Sequence, residues 1–221
     1  MNKRIVIIHA TPVAINPIQK AFRQDWPEAE LVNILDDSLS PDLESAGSQT
    51  PDIIERIVAL ARYGRDIGAA GILYSCSAFS DAIDAAKSSL AMPVLKPNEA
   101  MFDEAMEAGS RIGLLATFGP SVPSMEKEFR DLVEKRGKTV YLEAFLVEAA
   151  MTALRASDTG THNRLLAEAA PRLGDCDAVM LAHFSTSRAL DDVSRVLNSK
   201  VLTSPNSAVA RLKSVLTGYE R

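Results

Sequence analysis

Short apolar runs alternate along the chain with segments whose apolar residues recur at helical spacing, an alternation that predicts βαβ units and parallel sheets. Strand-length runs fall at residues 5–9, 31–35, 71–75, 94–95, 112–116, 140–143, 178–182 and 201–202. Residues 52–64 predict a helix, because Ile53, Ile54, Ile57, Val58 and Ala61 share one face. Residues 124–136 predict another, with Met125, Phe129, Leu132 and Val133 aligned. The segment 35–51, LDDSLSPDLESAGSQTP, is polar and nearly free of bulky apolar side chains. It reads as a surface connection or as a lid over a cleft, in which case Asp36 and Asp37 would meet a substrate amine.

The pattern repeats. RIVIIHAT from Arg4 aligns with RIGLLATF from Arg111, and PVLKPNEA from Pro93 aligns with KVLTSPNSA from Lys200, both pairs standing 107 positions apart. The same shift lays GILYSCSAFSDAI, from Gly71, on AVMLAHFSTSRAL, from Ala178, and sets Cys76 opposite His183. One offset held across three places predicts a duplicated lobe. The expected fold is α/β, with two pseudo-symmetric doubly wound lobes whose parallel sheets face a shared cleft. Lobe one covers 1–98, lobe two 99–204, and 205–221 packs back on lobe one. Ligands of such sheets bind beyond the carboxyl ends of the strands, so Cys76 and His183 are expected to meet across the cleft.

Composition narrows the partners. The 221 residues are 47% hydrophobic and 24% charged with a net charge of −5, which argues against nucleic acid or an anionic membrane surface. No apolar run approaches the ~20 residues that span a bilayer, and the run at 5–8 is too short for a secretory signal core. The two cysteines, Cys76 and Cys176, have no CxxC spacing, so neither a disulfide framework nor a metal site is indicated, and a reducing cytoplasm is expected.

Cys76 sits between two serines where a buried strand gives way to a helix. A thiol there is either a small core residue or a reactive group. A Cys-x5-Arg loop would need arginine at Ala82, and no G-x-S-x-G elbow, GxGxxG or P-loop follows a strand. A helix N-terminus favours thiolate and carboxylate alike, so a thiol pKa below that of a free cysteine is expected. Ser75 and Ser77 offer neutral donors to an anion, although Ser77 serves equally as a helix cap. Cys176 precedes the strand that leads to His183 and reads as structural. His9 ends the first strand, one step before its loop, and His162 in SDTGTHN reads as solvated surface.

YSCSAF resembles the first cysteine motif of the aspartate/glutamate/hydantoin racemase superfamily. LATFGPSVPSMEKEF is similar to the segment after the first strand of lobe two in hydantoin-type racemases, and VLTSPNSAV resembles the family's last strand and helix start. The resemblance spans nearly the whole chain. It implies one cysteine per lobe facing a substrate carbon, no cofactor, and Cys76 as a proton-transfer residue. Ser77, Thr117 and Ser121 would donate to a substrate carboxylate, with Thr11 as the lobe-one counterpart. The departure is His183, which stands where two-cysteine members carry the second thiol. It is either a second acid–base group or a strand-end histidine satisfied by a neighbour, and Ser185 is a further substrate-binding candidate.

The expected activity is that of a cofactor-independent racemase or isomerase, moving a proton at the carbon next to the carboxylate of an amino acid or derivative. Neutral N–H and O–H donors would hold the enediolate, with no metal. A one-thiol decarboxylase, a cis–trans isomerase and a non-catalytic small-anion binding protein are the alternatives. The expected partner is a small carboxylate-bearing substrate, and the protein is expected to be a homo-oligomer.

Overall fold

The structure is a computed structural model that describes residues 3–218. Among these residues the chain forms two four-stranded parallel sheets. The first contains β1 (Arg4–His9), β2 (Glu30–Leu35), β3 (Gly71–Tyr74) and β4 (Val94–Leu95), in the order β2-β1-β3-β4. The second contains β5 (Arg111–Ala116), β6 (Tyr141–Leu146), β7 (Ala178–Leu181) and β8 (Lys200–Thr203), in the order β6-β5-β7-β8. Each strand falls on one of the apolar runs, and the inner strands are the most apolar because helices cover both of their faces. β3 and β7 are buried along their whole length, whereas the edge strands β2 and β6 are partly exposed.

The two sheets share a register. Ile5 pairs with Gly71 and Ile112 with Ala178, each residue shifted by 107 from its counterpart. β2 and β6 break the offset, since Glu30 and Tyr141 stand 111 apart. The helix before β6, Val122–Lys135, is longer than its counterpart Ile15–Asp25, and the connection that follows β6 is correspondingly shorter.

The chain folds into two compact units, one running to Ala100 and taking in the chain from Ala208 onward, the other spanning Met101–Ser207. In the first, Val6, Ile8, Ile72 and Tyr74 pack against Ile57 and Ala61 of helix Pro51–Asp66 and against Phe79 and Ile83. That helix starts where Thr50 accepts a hydrogen bond from the Ile53 N–H and Pro51 needs no partner. The closing helix, Ser204–Thr217, buries Leu212 against β3: a Cβ on Gly71 would lie 3.1 Å from Leu212 Cδ2. Lys213 donates to the Asp25 carbonyl in the same unit. In the second unit, Met180, Ala182 and Leu114 meet Phe102 and Phe129 on one face of the sheet. Leu115, Val179 and Leu181 meet Leu166 and Leu173 on the other.

The segment 35–51, whose polarity reads as a surface connection or a lid, has regular structure of its own. It carries the helix Leu39–Ala46, closed by Gly47 in the left-handed region at φ 70°. Leu39 is fully buried, Ser40 donates to the Ala10 carbonyl, and Gln49 Oε1 accepts from the Ala82 N–H. Asp36 and Asp42 both pair with Arg56, so the Asp36 carboxylate is already engaged and is held below the usual carboxylate range by Ser38 and Arg56 against the opposing effect of burial.

Candidate active site

In each sheet the strand order reverses between the two central strands, and connections leaving their carboxyl ends in opposite directions open a crevice. Residues 10–14 and 75–79 stand at this point of the first sheet, and 117–121 and 182–186 at that of the second.

In the first unit, His9 ends β1 completely buried. Its Nδ1 lies 2.8 Å from Ser75 Oγ and its Nε2 lies 3.0 Å from Asn33 Oδ1 on β2. An amide oxygen only accepts, so Nε2 carries the proton and donates to Asn33. Burial pushes the His9 pKa down and keeps the ring neutral, which leaves Nδ1 to accept from the Ser75 hydroxyl. Ser75 therefore spends its proton on His9, where the sequence had offered it to an anion. Sequence reasoning misses Asn33, although an asparagine in an otherwise apolar strand is disfavoured unless something uses it.

Cys76 follows, half-buried and extended, as the cap of a 3-10 turn Ser77–Phe79 that leads into the helix Ser80–Ser89. The expected low thiol pKa is corrected here. Burial pushes the Cys76 thiol up, and the Ala78 N–H opposes this only in part. The turn in front of the longer helix presents little dipole to the sulfur. Ser77 is half-buried at the turn's first position, and Thr11 is half-buried just before the 3-10 turn Pro12–Ala14 with no side-chain cap hydrogen bond.

In the second unit, Thr117 follows β5 almost fully buried, and its hydroxyl has no hydrogen-bond partner. Ser121, expected to face substrate, instead links two groups of its own unit: Oγ lies 2.7 Å from the Phe118 carbonyl oxygen and 2.7 Å from His183 Nε2. His183 opens the short helix His183–Thr186 at φ 68°, a left-handed conformation that costs a non-glycine residue of order 1–3 kcal/mol. Thr186 steadies the turn by donating to the carbonyls of Ala182 and His183. Burial pushes the His183 pKa down. Ser185 is half-buried in the same helix, and its carbonyl accepts from Arg188 Nε.

Cys176 is buried in an apolar cluster with Leu173 and Val179 just before β7, at the end of that strand away from His183. His162 is a correction: it is fully buried on the helix Thr159–Ala169, bonded through Nδ1 to Asn163 with Nε2 unpartnered. The polar letters around it cap the helix through Asp158, while its own position faces inward. Among the described residues no group of three or more His, Cys, Asp or Glu side chains is placed to hold a metal, and no helix is long and apolar enough to cross a membrane.

Two parallel sheets of one topology, each with polar and titratable side chains gathered at its switch point, define the class as a duplicated α/β protein. The chain matches the Asp/Glu/Hydantoin racemase family over residues 5–212 and belongs to it. Allantoin racemase from Klebsiella pneumoniae has a similar structure, with a TM-score of 0.71 at 19% identity over 98% of this chain and 88% of that one. Aspartate racemase from Picrophilus torridus gives 0.70 at 15% identity over 98% and 95%. Arylmalonate decarboxylase gives 0.67 at 19% identity over 99% and 94%. No curated protein matches the chain.

Proposed function

We propose that the protein is a cofactor-independent racemase or isomerase of small carboxylates, in which Cys76 and His183 are the two acid–base groups. The observation that supports this reading most is their equivalence: each stands two positions past the last residue of the second central strand of its sheet, 107 positions apart, within a racemase family. Burial raises the thiol and lowers the imidazole, so near neutral pH the pair is a neutral acid and a neutral base.

His183 takes the proton from the carbon next to the carboxylate. The C–H electron pair moves into an enediolate, whose oxygens accept from neutral hydroxyls. Thr117 is the strongest of these donors, because a buried hydroxyl without a partner costs about 1–3 kcal/mol and a substrate oxygen would relieve it. Ser77, Ser185 and Thr11 supply the others. Cys76 then gives its thiol proton to the other face of the planar carbon, leaving a thiolate and an imidazolium that the reverse passage or solvent resets. The cytoplasm and a homo-oligomer remain part of this reading.

A second reading, a one-thiol decarboxylase or cis–trans isomerase, is favoured by one observation: only one of the two equivalent positions carries sulfur. A panel of L- and D-amino acids, 5-substituted hydantoins and dicarboxylates incubated in deuterated water separates the readings by NMR and chiral chromatography. Solvent deuterium at the reacting carbon with both enantiomers formed supports the racemase. Loss of carbon dioxide with one enantiomer formed supports the decarboxylase. Binding of panel members without exchange would leave a non-catalytic anion binder.

A further inference from the structure

We infer that Ser121 is a positioning residue that fixes the tautomer of His183, so that Nδ1 is the nitrogen that exchanges protons with substrate. The inference rests on the proposed acid–base role of His183 and adds the atom through which it acts.

Ser121 has one hydroxyl proton and two close neighbours. Its Oγ touches the Phe118 carbonyl oxygen at 2.7 Å and His183 Nε2 at 2.7 Å. A carbonyl oxygen cannot donate, and two oxygens at that separation require a hydrogen between them, so the single hydroxyl proton of Ser121 lies toward Phe118. The contact with the ring then needs its hydrogen from the other side, and Nε2 supplies it. A neutral imidazole protonated at Nε2 keeps its lone pair on Nδ1, and Nδ1 has no hydrogen-bond partner among the described residues. When Nδ1 takes a proton, the Nε2–H···Oγ bond remains and strengthens as the ring becomes charged.

Two further observations converge on this arrangement. His183 holds a left-handed φ of 68°, which the sharp turn after β7 imposes and Thr186 braces, so the ring is presented from a fixed backbone. Ser121 closes its own turn, Gly119–Ser121, by the bond to Phe118, so the acceptor it offers is equally fixed. In the first unit the same count runs the other way: there the serine donates, and the histidine proton goes to Asn33.

The test uses the full chain labelled with 15N at histidine. Long-range proton–nitrogen spectra distinguish the two neutral tautomers from the imidazolium, and a His183→Gln spectrum assigns the signals. The wild type should show His183 protonated at Nε2 only. Ser121→Ala should yield a mixture of tautomers, Ser121→Thr should restore the wild-type form, and His9 should be unchanged in both. With the panel compound that exchanges fastest, kcat should fall about tenfold in Ser121→Ala, a part of the 10²–10⁴ that general acid–base groups contribute, with KM nearly constant. Ser121→Thr should recover it. A wild-type ring protonated at Nδ1, or an unchanged tautomer in Ser121→Ala, overturns the inference whatever the activity. If the tautomer behaves as stated but turnover is indifferent to His183, the acid–base reading fails, and with it the role given to Nδ1.

Discussion

Burial acts on Cys76 and His183 in opposite senses, because the charged form of one is an anion and that of the other a cation. In the proposed reaction the working form has a protonated thiol and a neutral ring. Activity in the direction that begins at His183 should therefore fall as pH drops through a value below the ordinary histidine pKa of about 6.5. It should also fall as pH rises through a value above the ordinary thiol pKa of about 8.5, with a flat region between. A kcat/KM profile of the free enzyme measures both limbs, and an alkaline limb below the ordinary thiol value would contradict the environment assigned to Cys76. At this scale the sequence made Cys76 and His183 visible through the repeat. It could not reveal hydrogen-bond direction. Ser75, next after β3, and Ser121, in the turn that follows β5, look alike as hydroxyls beyond the carboxyl ends of central strands, yet one donates to a histidine and the other accepts from one. The same limit hid the positive φ of His183, since LAHFSTS contains no glycine to announce a left-handed turn.

Among the elements, the strands were the most legible, because inner strands of a parallel sheet are buried on both faces and read as unbroken apolar runs. The offset exposed three strand pairs of the four. It missed β2 and β6, whose exposed edge faces dilute the apolar signal and whose spacing of 111 breaks the alignment. The helix Leu39–Ala46 escapes the sequence for a different reason. It buries Leu39 almost alone and is held by Gln49, Ser40 and the Arg56 ion pairs, contacts that no periodicity records. The closing helix depends on ordinary apolar packing. Leu212 is fully buried and stands 3.1 Å from where a Cβ at Gly71 would be, so Leu212→Ala should cost about 2–5 kcal/mol in urea unfolding. A loss much under 1 kcal/mol would mean that this helix does not dock on β3 in solution.

For the molecule as a whole, duplication explains why one chain carries two switch points and why the residues at them correspond without being identical. Each unit sets a histidine, a serine and a short turn at the carboxyl ends of its central strands, but they are wired differently. In the first the histidine is buried with both nitrogens bonded and the thiol follows the serine that bonds it; in the second the histidine itself occupies the thiol's position. Such divergence suits a reaction whose two halves, removal and return of a proton, need a base and an acid. In the proposed reaction Cys76 and His183 divide those halves between them. The direct measurement is solvent deuterium incorporation, followed by proton NMR, into the separate enantiomers of the panel compound that the wild type racemises fastest, using Cys76→Ala and His183→Ala. Both variants should lose inversion by at least about a hundredfold while retaining slow exchange of one enantiomer each, and the enantiomer should be opposite in the two variants. If His183→Ala still forms both enantiomers at the wild-type rate, or if both variants exchange the same enantiomer, the two residues do not share the reaction and the account is wrong.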